Sequence, residues 1–214
     1  LWQLERALYG LRESPRYWGL ERDSKLREVK FWSNGKKYKL KQSSIDDALW
    51  CVVNADGSGN AKAILSTYVD DLLGAGPDEL IRDLFKKVCS LWDTTPPEFL
   101  TAYEDGQMRF LGLDVHRFAD SSMHVTQQRY VADMLKKFDF QQCRPMHTCG
   151  DTDFEADGEP VLPHSPHTVL QCQSALGALI FLSTRTRPDI AHAVSRSAQI
   201  LSKDPERCWL QIKR

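Results

Sequence analysis

The sequence has no long apolar segment and almost no net charge. None of its apolar runs approaches the roughly 18 residues that a membrane-spanning helix needs, so we expect no membrane partner. Its 28 basic and 29 acidic residues nearly cancel, whereas many nucleic-acid-binding domains are strongly basic. A positively charged binding surface must therefore come from a local cluster of residues.

Metal-binding and disulfide patterns are also missing. The six cysteines form no C-x-x-C pair and do not reach the density of a small secreted protein. We therefore predict free thiols in a reducing compartment. Metal-capable side chains do occur near residue 150, but their spacing fits no zinc pattern; they are His147, Cys149, His164 and His167.

The chain does not begin with Met and shows no signal peptide. It starts at Leu1 and ends at Arg214, each inside a segment that is predicted to be structured. We therefore interpret it as a fragment of a longer polypeptide. Its 214 residues are enough for one large domain or two small ones.

The most informative segment is an apolar run interrupted by two adjacent carboxylates, Asp70 and Asp71. Flanking residues 63–69 and 72–75 are predicted to be short strands, and a tight turn between them would bring both carboxylates to the tip of a hairpin. Two neighbouring carboxylates repel each other unless a divalent cation neutralises them, which indicates a metal site. Taken alone, the pair favours the simpler alternative of a polar turn.

A helix is predicted over residues 15–30, after a turn at Gly10. Ser14 is expected to be its N-cap and Pro15 its first residue, and three side chains should face inward: Trp18, Leu26 and Val29. Residues 31–49 are predicted to be turn-prone, with a tight turn at Asn34-Gly35. The lysine run beside aromatic residues in this segment could contact nucleic acid, although a solvated loop is favoured.

The rest of the chain is predicted to alternate strands with helices, which indicates the α+β class. The expected elements are strands at 50–53 and 62–69, a helix from Pro77-Asp78, a strand at 107–117 pairing with 123–125, a helix capped by Thr126, a linker at 151–167 and three C-terminal helices. The first C-terminal helix should bury one stripe of side chains: Val169, Cys172, Leu176, Leu179 and Ile180.

Several segments resemble one family. Tyr68-Val69-Asp70-Asp71 resembles the Tyr-x-Asp-Asp motif of reverse transcriptases, in the form found in Ty1/copia-class retrotransposons. Residues 8–18 are similar to that class's LYGLKQ(A/S)PRxW segment, and residues 110–115 to its FLG(I/L)E(I/V) hairpin. Residues 174–195 closely resemble its SLIGSLLYL…TRPDIxxAVS signature. The resemblance therefore extends over almost the whole chain.

The resemblance implies an RNA-directed DNA polymerase that uses two Mg²⁺ or Mn²⁺ ions. It implies that Asp70 and Asp71 hold the metals and carry catalysis, and it assigns nucleotide and template contacts to Gly10, Ser14, Pro15, Tyr68 and Val69. It assigns the primer grip to Phe110, Leu111 and Gly112. The third carboxylate of the family would precede residue 1, so this chain by itself is expected to be inactive.

The resemblance also implies a right-hand polymerase palm, an antiparallel sheet with helices, joined to a partial thumb and connection helices, with the fingers missing. The expected division is palm at 1–92, primer-grip hairpin and thumb start at 93–145, linker at 146–168 and connection at 169–214. Implied partners are an RNA/DNA primer-template, dNTP, and the fingers, integrase and RNase H regions of the same polyprotein. The implied location is intracellular: cytoplasmic, in a virus-like particle, or nuclear.

Two alternatives remain open from the residues. One is a decayed or domesticated copy that acts only as a nucleic-acid-binding or protein-interaction module; Glu13, where the family has Gln, weakly favours it, and the intact Tyr68–Asp71 motif opposes it. The other is a metal-dependent nuclease, which would require further carboxylates or histidines beside the hairpin.

Overall fold

The computed structural model describes residues 10–102, 104–144, 149 and 166–213, and it has a mixed α/β architecture with two antiparallel sheets. Its residues group into two compact units, Leu1–Leu111 with Arg117–Ser122, and Gly112–His116 with Met123–Arg214. No helix among the described residues is long and apolar enough to cross a membrane. The predicted α+β class is confirmed at this level, while the four-part division of the chain stays a prediction.

The first unit is built on a five-stranded meander in which each strand pairs with the next along the chain. Its elements are α1 (Ser14–Glu28), β1 (Lys30–Ser33), β2 (Lys36–Gln42), β3 (Leu49–Asn54), β4 (Ala63–Tyr68), β5 (Asp71–Ala75) and α2 (Asp78–Val88). The expected strands at 50–53 and 62–69 and the helix from Asp78 are therefore confirmed.

One face of this sheet is the core of the unit. Side chains alternate between the two faces of a strand, and those on the inner face are buried against α1 and α2. Both predicted inward residues at the end of α1, Leu26 and Val29, belong to this core, and Trp18 is half-buried. The other members are Phe31, Leu40, Trp50, Val52, Ala63, Leu65, Leu80, Ile81, Leu84, Phe85 and Val88.

The prediction of a solvated loop over residues 31–49 is wrong, because β1 and β2 occupy most of it. The turn at Asn34-Gly35 is confirmed, with φ of +49° and +72°. Phe31 and Ser33 are buried on alternate positions of β1. Tyr38-Lys39-Leu40-Lys41 of β2 also alternates as a strand does, but the adjacent lysines Lys36 and Lys37 before it are typical of a loop.

Both predicted N-caps are also wrong. Ser14 is the first residue of α1 and Glu13 occupies the N-cap position, without a side-chain hydrogen bond to the helix. The Ser14 N–H already donates to the Leu11 carbonyl at 3.1 Å, so the turn has closed one residue earlier than expected. Thr126 ends β8, and Gln127 is the N-cap residue of the next helix.

The second sheet has three strands in the order β6–β7–β8: β6 (Gly106–Phe110), β7 (Leu113–Arg117) and β8 (Met123–Thr126). The predicted single strand at 107–117 is wrong, because Leu111 and Gly112 form a tight turn with φ of +50° and +78°. Gly112 was the visible signal for this break, since glycine adopts positive φ without a steric cost. The return of residues 123–125 into the sheet is confirmed.

The second unit continues with α3 (Gln128–Lys137), α4 (Pro166–Ser183), a 3₁₀ turn (Pro188–Ile190), α5 (Ala191–Ile200) and α6 (Pro205–Ile212). The last three helices pack around Cys172, Leu176, Val194, Ile200 and Cys208. The three predicted C-terminal helices are confirmed, and the Asp204 carboxylate caps α6 by accepting the Arg207 N–H at 2.9 Å.

Two details of this region differ from expectation. Ile180 is 45% exposed, so it does not belong to the buried stripe of α4. In addition, α4 begins at Pro166, inside the segment predicted as a linker. The rest of that segment, residues 151–165, lies outside the described residues, as do His147 and His164.

The glycine at position 74 determines how closely α2 approaches the sheet. A Cβ at Gly74 would lie 2.6 Å from Phe85 Cε2, and Phe85 is buried in the core. We expect Gly74→Ala to lower the free energy of unfolding by about 1–3 kcal/mol through overpacking. The matched control is Gly19→Ala in α1, where nothing lies within 4 Å; it should raise stability by about 0.5–1 kcal/mol. Urea unfolding of both variants measures this, and equal effects would contradict the packing argument.

The six cysteines are all free, as predicted. Burial raises the pKa of the Cys172 thiol and raises that of Cys208 to about 12, so both stay protonated and unreactive at neutral pH. We expect maleimide to label the exposed Cys143 and Cys149 rapidly and the buried pair only after unfolding, as read by mass spectrometry. Rapid labelling of the native pair would contradict this assignment.

Stability should also fall above about pH 9, because the thiols ionise first in the unfolded chain.

Candidate active site

The β4–β5 hairpin brings the candidate catalytic residues together. Tyr68 and Asp71 are register partners that close the hairpin, which leaves Val69 and Asp70 as a two-residue loop. Asp71 is therefore the first residue of β5, one position beyond the loop in which the sequence placed it. All four side chains are exposed. The structure thus presents the two carboxylates at adjacent positions of one exposed hairpin end.

The loop carries an unusual backbone conformation. Val69 has a φ of +51°, and a β-branched residue in this left-handed region is a genuine outlier. Such conformations cost of order 1–3 kcal/mol and persist only where the surroundings impose them. Hairpin loops normally place glycine at such positions, so Val69 must be held from outside the loop.

Two side chains of α1 hold it. The indole Nε1 of Trp18 donates to the Val69 carbonyl oxygen at 3.0 Å, and Nη1 of Arg22 donates to the same oxygen at 3.2 Å. Hydrogen bonds of this kind contribute about 0.5–1.5 kcal/mol each, and up to about 3 kcal/mol from a charged donor. Their sum is comparable to the backbone strain, so α1 is sufficient to fix the loop.

These two donors are themselves held in place. The Trp18 ring packs against Trp92 with centroids 5.8 Å apart. The Arg22 guanidinium pairs with Asp23 at 2.8 Å, and both side chains are largely buried. Asp23 also accepts a hydrogen bond from Gln42 Nε2 at 3.1 Å. Both carboxylate oxygens of Asp23 therefore have partners, and Asp23 serves to position Arg22.

The base of the hairpin is fixed from the inside. Thr67, the last inward residue of β4, is buried. Its backbone N–H and its Oγ1 both donate to the Ala48 carbonyl, at 2.8 and 3.1 Å. The loop before β3 is therefore attached to the hairpin one residue before Tyr68, and the exposed end projects from a rigid base.

The carboxylates are suited to a hard divalent cation. Magnesium is usually bound by one or two carboxylates, with waters and substrate phosphates completing its coordination, and Asp70 and Asp71 provide such a pair. No group of three or more His, Cys, Asp or Glu side chains that could hold a metal occurs within the described ranges. The donor set of this hairpin thus fits a cation that shares its coordination with substrate.

The other sequence-predicted site residues lie in two places. Gly10 is in the turn before α1, with a φ of +91°, and Ser14 and Pro15 begin the helix that holds Val69. The predicted primer-grip residues form a different hairpin: Phe110 ends β6, and Leu111 and Gly112 make its turn. Their roles toward nucleotide, template and primer stay predictions.

The sequence did not reveal Arg22 at all, and it identified Trp18 only as an inward-facing residue. The two side chains are four positions apart and so lie on one face of a helix, which was the only local signal. Their acceptor is 51 and 47 residues further along the chain. A contact over that separation cannot be inferred from helical periodicity.

Comparison with known proteins now decides the family. A family model described as reverse transcriptase (RNA-dependent DNA polymerase) matches residues 1–150. The chain belongs to this reverse transcriptase family. The resemblance found in the motifs is therefore confirmed, including its retrotransposon character, because the similar curated proteins are transposon proteins.

Three of these relatives illustrate how the match extends over the chain. It is 28% identical over 228 residues to the retrovirus-related Pol polyprotein from transposon TNT 1-94 of Nicotiana tabacum, covering 99% of the chain and 15% of the relative. It is 27% identical to that from transposon RE2 of Arabidopsis thaliana, covering 99% and 13%. It is 24% identical to a transposon Ty5-1 protein of Saccharomyces cerevisiae, covering 100% and 62%.

The chain thus spans only about a seventh of the first two polyproteins that it matches, 15% and 13% of their lengths. No solved structure matches it.

The strain at Val69 can be tested by removing the side chain. We expect Val69→Gly to leave the free energy of unfolding unchanged or raise it by up to about 1 kcal/mol, because relief of the left-handed conformation offsets the entropy cost of glycine. The control is Ile64→Gly at an exposed, extended position of β4, which should destabilise the protein by about 1 kcal/mol or more. Urea unfolding compares them, and an equal loss in both variants would refute the strain at Val69.

Proposed function

We propose that this chain is the catalytic palm segment of an RNA-directed DNA polymerase that belongs to a retrotransposon Pol polyprotein. The observation that carries the proposal is the exposed Asp70-Asp71 pair on a loop fixed by α1. Family membership supports the reaction class, and the similarity to transposon Pol polyproteins supports the polyprotein context.

In this proposal, α1, β1–β5 and α2 form the palm. The β6–β7 turn at Leu111-Gly112 is the primer grip, α3 begins the thumb, and α4 to α6 form the connection toward RNase H. Gly112 lies against Phe181 of α4: a Cβ atom at Gly112 would be 3.5 Å from Phe181 Cζ. The Tyr130 ring packs on the same Phe181 with centroids 5.1 Å apart. These contacts lie within the second unit and place Gly112, the last primer-grip residue, beside α4.

The residues of the hairpin would act as ligands and as positioning groups. Asp70 and Asp71 would hold two divalent cations, which supply charge stabilisation to the attacking primer hydroxyl oxygen and the leaving phosphate oxygen of the nucleotide. Trp18 and Arg22 keep the carboxylates at a constant position by holding the Val69 carbonyl. The exposed Tyr68 ring would pack against the incoming nucleotide or the primer end. Gly10, Ser14 and Pro15 would let the backbone before α1 approach the template.

The alternative of a domesticated module without catalysis is the second candidate from the sequence. A strained loop that presents two adjacent carboxylates does not serve a binding module, because binding alone does not require that geometry. A nuclease would need additional acidic or histidine ligands, and within the described ranges no such group of three surrounds the hairpin. The polymerase therefore accounts for more of the observed geometry.

The assignment is tested by Asp70→Asn in a Pol polyprotein that contains this chain, since the 214-residue chain alone is expected to be inactive for want of a third carboxylate. Loss of one metal-binding charge should abolish primer extension on an RNA template with either Mg²⁺ or Mn²⁺. The matched control is Asp56→Asn, at the β3–β4 loop, where asparagine can still accept the Ser58 N–H bond. Extension at the wild-type rate by Asp70→Asn, with its fold intact by circular dichroism, would contradict the assignment.

A further inference from the structure

The outer face of β1 and β2 carries a cluster of lysines around one tryptophan. Lys30 lies opposite Lys39, and Trp32 lies opposite Lys37; directly opposed residues project to the same face of an antiparallel pair. The buried Phe31 and Leu40 occupy the alternate positions that face the core. We define the lysine face as the residues Lys30, Trp32, Lys37, Lys39 and Lys41.

The positive charge of this face is local and uncompensated. Residues 30–42 contain five lysines and no Asp or Glu, whereas the whole chain has a formal charge of −1. Lys30, Lys37 and Lys41 are exposed and form no ion pair with any other residue that the structure describes. Lys39 is the exception, because its charge helps the Ser58 hydrogen bonds to lower the pKa of Asp56.

The arrangement costs folding energy. Like charges directly opposite each other on neighbouring strands are destabilising, and this is the relation between Lys30 and Lys39. Trp32 is 64% exposed, so it contributes little burial to the core. A sheet that carries such features without a folding benefit is expected to use them in binding.

The lysine face is continuous with the candidate active site. Register pairs connect Lys41 to Cys51, Cys51 to Ile64 and Ile64 to Ala75, so these residues share one face of the sheet. Tyr68 and its partner Asp71 lie on that same face, since Tyr68 is four positions beyond Ile64 on β4. Strands are about 4.8 Å apart and rise about 3.3 Å per residue. Tyr68 lies two strands over from Lys41 and four residues further along, so a ligand roughly 16 Å long would join these two positions, and one roughly 30 Å long would reach from Tyr68 to Trp32.

We propose that the lysine face binds single-stranded nucleic acid, with phosphates contacting the exposed lysines and a base stacked on Trp32. Lysines interspersed with an exposed aromatic ring are the combination that binds single strands without sequence preference. The inference rests on the proposed polymerase function, which supplies the single strand as the unpaired template. The face would hold that template on the same side of the sheet as the hairpin that carries Asp71, with Lys41 nearest to it.

The test is fluorescence anisotropy of a labelled single-stranded RNA 20-mer titrated with the 214-residue chain at several salt concentrations. The test variant is Lys37→Gln/Lys41→Gln, and the control is Lys86→Gln/Lys87→Gln, which removes equal charge from exposed positions of α2. We expect the test variant to weaken binding about tenfold and to reduce the salt slope by about 1.4, at roughly 0.7 for each phosphate contact. The control should change neither quantity.

A stacked base is tested by Trp32→Ala, which should weaken single-strand binding at least about fivefold and leave binding of the matching duplex unchanged. Equal losses of RNA affinity in Lys37→Gln/Lys41→Gln and Lys86→Gln/Lys87→Gln would overturn the inference. So would tighter binding of duplex than of single strand that Trp32→Ala leaves unchanged. Circular dichroism confirms folding, and Lys30→Gln/Lys37→Gln replaces any test variant that does not fold. Absence of single-strand binding by the chain would also overturn it, while the polymerase assignment is judged separately by primer extension with Asp70→Asn.

Discussion

The carbonyl oxygen of Val69 accepts hydrogen bonds from Trp18 and Arg22 of α1, and the position of the candidate catalytic loop depends on this interaction. The loop has only two residues and a strained backbone, so it cannot keep its conformation through local preference. The helix that supplies the donors also contributes Leu26 to the core. The position of the exposed carboxylates therefore depends in part on a helix that is anchored in the core.

The five-stranded sheet separates structural from functional roles by its two faces. Its inner face packs against α1 and α2, and the interface between sheet and helices contains nearly all the buried apolar side chains of the first unit. Its outer face carries the lysines of β1 and β2 and, further across, Tyr68 and Asp71. Because strand residues alternate between faces, a substitution at an outer-face position does not change any core residue. The same strands can therefore maintain the fold and present the candidate site residues.

Elements were predictable where their sequence signal lies in a few neighbouring residues, and not where they depend on distant contacts. The α2 stripe, the strands on either side of Asp70 and the turn at Asn34-Gly35 were predictable, because hydrophobic periodicity and glycine turns are local. The β1 and β2 strands were missed because Trp32 on the outer face and Lys36 on the inner face break the polar–apolar alternation. The break at Leu111-Gly112 was missed because alternation continues on both sides of a tight turn. The support from Arg22 depends on a tertiary contact, which periodicity does not encode.

The two-residue loop at Val69-Asp70 also restricts how this segment can change in evolution. A single inserted residue would shift the register of β5 against β4, and a one-residue shift sends every following side chain to the opposite face. Leu73 would then meet Phe85 of α2 in place of Gly74, which has almost no space beside that ring. A change in loop length that shifts β5 is therefore incompatible with the helix that packs beneath the sheet.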